Sequence, residues 1–371
     1  MKKCKGLPLV VVVITGLLAN KKTWWKQISQ SVSSYIVSDP NQYLDTLALS
    51  YNHLLHHLKP CFLYLVAFPK DQEISVQRLL WLWIAEGFIQ KKWAEKLGGS
   101  SRGLLNGSNS EKSYGSKYSN NVLNGLLFIC ETFKLLRVLD LWCVYGLFSR
   151  KLEHVNLRYL AITVGGSVQL PLPISNLANL DTLIHFASMS EVTLSRNVWK
   201  IPKLRNLYTK EEKYSVSLSS AMDHNFLRHP ETLKLYNNFC SQPTTFQGVK
   251  FPTNIKRLTL TNTGTISILR MLLPNLELLK LESEACWGLQ WATNDRGFPL
   301  LKFLKLKCLN VEQWITCSSY FPSLRHLLLE SCDNLEEIPS SLGDILTLQM
   351  ITIAYCRPPI VESARKIKEE Q

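Results

Sequence analysis

The sequence holds ten cysteines, at positions 4, 61, 130, 143, 240, 286, 308, 317, 332 and 356, and no Cys-x-x-Cys pair among them. Finger- and ribbon-type zinc sites take two ligands from such a pair, so the pattern argues against structural zinc. It contains no Gly-Lys dipeptide, and therefore no G-x-x-x-x-G-K-[ST] loop to cradle a nucleotide's phosphates. No run of five like charges occurs, although the formal net charge is +13 and the pI near 9.2. Spread charge of that kind reads as a solvated basic surface that favours acidic partners, not as a dedicated nucleic-acid patch. The apolar run Leu7–Ala19 has thirteen residues, too few to cross a bilayer as a helix. No Ser-His-Asp or paired-carboxylate arrangement stands out as catalytic machinery. His53, His56 and His57 share a helical spacing, but no further ligand or supporting partner is identifiable for a metal.

What the chain does have is leucine at a fixed interval. The clearest unit is Leu324, Leu327, Leu329, written L-x-x-L-x-L, and its middle position recurs at Leu139, Leu160, Leu183, Leu207, Leu233, Leu258, Leu279, Leu304, Leu327 and Ile351. Successive gaps are 21, 23, 24, 26, 25, 21, 25, 23 and 24 residues, the period of a leucine-rich repeat. Apolar residues two apart point to one side of an extended chain, so each unit predicts one short strand. No unit can bury its leucines alone; stacking the units makes one continuous core. The expected fold class is α/β, a solenoid of about ten repeats over residues 122–358. His185 and Thr209 replace the second inward leucine and mark the third and fourth rungs as the weakest. Cys143, Cys308, Cys332 and Cys356 follow rungs closely, as small turning residues do, and the scattered cysteines read as reduced thiols.

The first 95 residues read differently. The start imitates a secretory signal, but Pro8 and Gly16 interrupt its apolar run, and the preferred reading is a buried helix. Trp24, Ile28, Val32 and Tyr35 predict a helix to Val37, and Leu47, Tyr51, Leu54/Leu55 and Leu58 a second. Pro60 starts a further segment, in which Cys61–Phe68 is apolar all round and so expected to be buried. Ile74 and Ser75 predict the entry to another helix with a core of Leu79, Leu80, Trp83 and Ile84, ending near Gly87. Residues 96–121 include sixteen Gly, Ser or Asn among 26 and predict a linker. Residues 359–371 read as a charged tail, able to form a frayed helix.

Gly6–Leu9 (GLPL), Leu47–Asp71 and Ile74–Ile89 (ISVQRLLWLWIAEGFI), followed by irregular leucine-rich repeats, resemble the plant intracellular nucleotide-binding, leucine-rich-repeat disease resistance proteins. The wording is most similar to the coiled-coil class and its late blight resistance members. The resemblance implies that residues 1–95 are a partial nucleotide-binding (NB-ARC) domain with a winged-helix segment. In the intact family ADP holds the receptor closed and ATP opens it; the GLPL proline, Pro8 here, would lie against the adenine. The family's phosphate loop, magnesium-binding strand, coiled coil and Met-His-Asp motif have no counterpart in this sequence. The chain therefore reads as a truncated form, with no cofactor expected in it and no enzymatic role.

Outward x positions of the repeats supply the candidate partner-binding residues. On neighbouring rungs these are Glu277, Leu278 and Lys280; Lys302, Phe303 and Lys305; and Arg325, His326 and Leu328. Together they predict a mixed, basic-leaning surface suited to an acidic protein patch. The expected function is that of a cytoplasmic innate-immunity receptor that recognises a pathogen effector, a guarded host protein or another receptor chain. Peripheral membrane association stays open. One alternative is a signalling ATPase, should a fuller gene product carry the phosphate loop; another is a binding module or decoy without signalling. A nucleic-acid binder is disfavoured, because the would-be recognition helix around Arg78 carries one arginine among many aromatics.

Overall fold

The structure, a computed structural model, describes residues 51–52, 54–69, 72–91, 132–133, 135–145, 156–164, 174–187, 193–194, 198–211, 217–218, 230–236, 252–263, 273–283, 285, 288–293 and 297–370. Pro8, the apolar start, the helix expected at Trp24–Val37 and the stretch 96–121 lie outside them. The chain divides into two compact units, Met1–Asn109 and Ser110–Gln371.

In the first unit, α1 (Lys59–Tyr64) follows a 3-10 turn at His56–Leu58, and α2 spans Val76–Glu86. The helix expected to continue to Leu58 breaks at Leu55, which is extended (φ −55°, ψ 139°) and exposed. Pro60 has no N–H to return to the His56 carbonyl, so the chain restarts with Pro60 in the first turn. The segment expected to be buried all round is not: Leu63 is 54% and Val66 82% exposed, and of α1 only Cys61 is fully buried. A six-residue helix points side chains in every direction, and only one side can be covered. Rings do part of that covering, with Tyr51 6.0 Å from Phe62 and Tyr64 5.7 Å from Phe88. Helix α2 has the expected ends. Ser75 accepts the Arg78 N–H at 3.3 Å, and Gly87 closes the helix in the left-handed region (φ 86°). Its buried stripe is Leu80, Trp81, Leu82 and Ala85, rotated from the expected one; Leu79, Trp83 and Ile84 are half-buried.

Among the described residues the second unit carries fourteen strands: β1 (Val138–Tyr145), β2 (Tyr159–Val164), β3 (Thr182–Ala187), β4 (Thr193–Leu194), β5 (Asn206–Glu211), β6 (Ser217–Leu218), β7 (Thr232–Tyr236), β8 (Arg257–Thr261), β9 (Leu278–Glu282), β10 (Gln290–Ala292), β11 (Phe303–Lys307), β12 (Gln313–Ile315), β13 (His326–Glu330) and β14 (Met350–Ala354). Ten of them form one sheet in the order β1-β2-β3-β5-β7-β8-β9-β11-β13-β14, every pair parallel. This is a leucine-rich-repeat solenoid. Leu139, Leu160, Leu183, Leu207, Leu233, Leu258, Leu279, Leu304, Leu327 and Ile351 stand opposite one another across the whole sheet, and all but the half-buried Ile351 are core residues. A shift of one residue on any strand would turn its leucines out of the core, so the hydrophobic alternation itself sets the register.

Two shorter sheets lie beside it, β4–β6 and β10–β12. In the latter, Trp291 and Trp314 stack face to face at 5.0 Å, while Gln290 and Gln313 hydrogen-bond on the exposed side. At the C-terminus α3 (Pro358–Glu370) buries Ile360 and Ile367 in the solenoid core, with Ala364 packed against it. The residues expected as a charged tail are thus a docked helix covering the last repeats' apolar interior. Spacings of four and three between those residues supply one apolar stripe.

Candidate protein-interaction surface

The surface is built by repetition. The residue before each strand gives its carbonyl to two N–H groups of the next rung, as Glu277 does to Lys302 and Phe303, and Lys302 to Arg325 and His326. That fixes a column of side chains running along the sheet edge: Arg158, Asp181, Arg205, Glu231, Lys256, Glu277, Lys302, Arg325. Rungs stand roughly 4.8 Å apart, so neighbouring opposite charges meet. Arg205 reaches Asp181 (3.9 Å), Lys256 reaches Glu231 (3.5 Å) and Lys302 reaches Glu277 (2.8 Å). Arg325 follows the last of these pairs, is exposed, and has no acidic partner among the described residues.

A second column joins Lys280, Lys305, Leu328 and Thr352 in register. Lys305 was expected to be an open contact point, yet it is 6% exposed and held between Glu282 (3.8 Å) and Glu330 (2.8 Å). Lys307 adds a 2.6 Å contact to the same Glu330 carboxylate. Burial would raise the Glu330 carboxyl, but hydrogen bonds from Lys305 and Lys307 and their charge outweigh it and hold it below its ordinary value. The Lys307 ammonium is raised, chiefly by its hydrogen bond to Glu330, against the effect of burial. Burial pushes Lys280 down; Glu282 opposes that and Lys305 adds to it. Phe303 and Leu328 are also buried, not displayed.

Of Lys280, Lys302, Phe303, Lys305, Arg325 and His326, the residues expected to make the contact, the register brings Lys280 and Lys305 together and Phe303 beside His326. Lys302 and Lys305 are neutralised within the protein; Lys280 is half-buried without a salt bridge among the described residues, and Arg325 is exposed without one. His326 is half-buried beside it. Earlier rungs offer less, since their outward residues Tyr159, Ile184 and Phe186 are buried. Removing the central cation should be felt: Lys305→Ala is expected to cost about 2 kcal/mol. Losing a partner of a fully buried pair costs about 3–5 kcal/mol, but these carboxylates retain some water and Lys307 stays. Urea unfolding measures it, and a change under about 0.5 kcal/mol would contradict the pairing.

Residues 67–132 match the winged-helix domain of disease resistance proteins, a span that includes α2 and the Gly/Ser/Asn-rich stretch. The whole chain aligns with the late blight resistance protein homolog R1B-12 of Solanum demissum at 26% identity, covering 38% of that protein. It aligns over its full length with the late blight resistance protein R1-A of the same plant, also at 26% identity, covering 40% of it. The chain is related to the plant disease resistance proteins. It spans about two-fifths of the length of the relatives it matches. An internalin from Listeria monocytogenes superposes with a TM-score of 0.40 at 13% identity, over 64% of this chain and 76% of that one. Among the described residues no group of three or more His, Cys, Asp or Glu is placed to hold a metal, and no helix is long and apolar enough to cross a membrane.

Proposed function

We propose that this resistance-protein relative is a receptor-type interaction protein of plant defence. Its later repeats bind a protein partner, a pathogen product or a guarded host protein, through the outward face around Arg325 and His326. The observation that carries this is the unmatched arginine that follows three successive ion pairs of the column; Arg158, at the other end, is likewise exposed and unpaired, but the outward residues beside it are buried. Desolvating a paired charge gains a partner little, whereas a free exposed guanidinium offers up to five donors in a fixed fork to a carboxylate. The proposal includes no catalytic step and no nucleotide step: these 371 residues contain no glycine-rich loop with its lysine, and Pro8 could give a base only an apolar contact. It places residues 1–95 as part of a nucleotide-binding domain and the protein in the cytoplasm, in keeping with the free thiols of Cys61, Cys308, Cys317, Cys332 and Cys356.

The test is a challenge assay in leaves. Leaves expressing the chain should show smaller late blight lesions than leaves expressing Arg325→Glu at matched protein abundance. Equal lesions would count against the reading.

A further inference from the structure

Two cysteines occupy equivalent places on the last two rungs. Glu330 and Ala354 are the final partners of β13 and β14, and Cys332 and Cys356 each lie two residues beyond them. The backbone takes the same path on both rungs: Ser331 and Tyr355 are left-handed at φ 50° and 55°, and the Ser331 N–H bonds across to the Ala354 carbonyl at 2.9 Å. Each thiol lies near the carbonyl two residues before it, the Cys332 sulfur 3.6 Å from Glu330 and the Cys356 sulfur 3.4 Å from Ala354, and the Cys332 thiol also reaches the Leu306 carbonyl at 3.4 Å. Equivalent positions on adjacent rungs keep the strand spacing of roughly 4.8 Å. A disulfide needs its Cα atoms about 4.4–6.8 Å apart. Both residues are free thiols here.

We propose that Cys332 and Cys356 are a peroxide-oxidisable dithiol, closing into a disulfide that staples the tenth rung to the ninth. Cys356 is half-buried and meets the oxidant first, while Cys332 lies within the core and resolves. The Cys356 thiolate displaces hydroxide from hydrogen peroxide and becomes a sulfenic acid, giving two electrons to the peroxide. The Cys332 sulfur then attacks the Cys356 sulfur; the S–O bond breaks, and its oxygen leaves as water with the Cys332 proton. Two thiols and one peroxide give one disulfide and two waters. Burial pushes the Cys332 thiol up to about 11, so it rests protonated and does not compete for peroxide. Cys308 is near but out of step. It lies one residue past its strand, is itself left-handed (φ 48°), and its counterpart on the ninth rung is Ser331. The staple would lock β14 onto the strand that bears His326, whatever that surface binds.

The experiment is peptide mapping of the full chain after treatment with hydrogen peroxide at neutral pH, alkylation and digestion without reductant. The expected product is one linked peptide pair carrying Cys332 and Cys356, lighter by two hydrogens and separated by dithiothreitol. Cys308→Ser should form it to the same extent. Cys356 found as sulfinic or sulfonic acid with Cys332 still alkylatable would overturn the proposal. So would a Cys308–Cys332 linkage. Both readings come from the wild-type chain, so a variant that misfolds cannot obscure them.

Discussion

Replacing Gly297 with alanine is expected to destabilise the solenoid by about 2–5 kcal/mol. Gly297 sits at φ +53°, a conformation that costs an L side chain about 1–2 kcal/mol. A Cβ there would also overlap the Tyr320 carbonyl oxygen and lie 2.5 Å from the Tyr320 Cα. Those are backbone atoms, which no rotamer change moves aside, and overpacking of this kind typically costs about 1–3 kcal/mol more. The close approach is what joins the two repeats: the Phe298 N–H reaches the Tyr320 carbonyl at 2.7 Å, and Phe298 stacks on Phe321 at 5.8 Å. Urea unfolding followed by tryptophan fluorescence is well placed to report it, because Trp291 and Trp314 are buried in the neighbouring sheet. A loss under about 1 kcal/mol would mean that the two repeats do not approach as described.

Acidification should weaken the fold through a single histidine. His185 is 1% exposed in the core, opposite Thr209 on the next rung, and neither of its ring nitrogens has a hydrogen-bond partner among the described residues. Burial disfavours its charged form and pushes its pKa down to about 4, against roughly 6.5 in an unfolded chain. Between those values the unfolded state binds a proton that the folded state refuses, so stability rises with pH across that window and is lost as pH falls through it. The full loss is about 3 kcal/mol, from roughly 1.36 kcal/mol per pKa unit. Urea midpoints measured from pH 7 to pH 4 should show that decline in the wild type and not in His185→Leu, which places an apolar residue between Ile162 and Thr209. The Glu330 network titrates below the ordinary carboxylate range and leaves the upper part of the window clear. Parallel declines in the two proteins would mean that His185 is solvated or partnered.

The leucine column was legible because every inward position must be apolar, whatever the loops do, and the same ten residues that repeat in sequence face one another in the sheet. Two inward exceptions, His185 and Thr209, could be read as weak points for the same reason. What failed to show was anything that depends on neighbours across rungs. A lysine at an x position reads as solvated, and only the register reveals Glu282 and Glu330 on either side of Lys305. The cancelled charges of Glu277 and Lys302 were hidden in the same way, 25 residues apart in sequence. The lateral sheet did leave a trace, Gln290-Trp291-Ala292 and Gln313-Trp314-Ile315 at an interval of 23, within the range of the leucine gaps. In the first unit, counting apolar residues overestimated burial at Leu63 and Val66, because composition does not say which side of a short helix is covered.

The measurement that bears most directly on the account is the leaf challenge assay run on two charge changes at matched abundance. Arg325→Glu inverts the unpaired cation. The swap Glu277→Lys with Lys302→Glu inverts two charges but keeps their ion pair. If the free guanidinium is what a partner recognises, protection is lost in the first protein and retained in the second. Loss of protection in both, or in the swap alone, would contradict it.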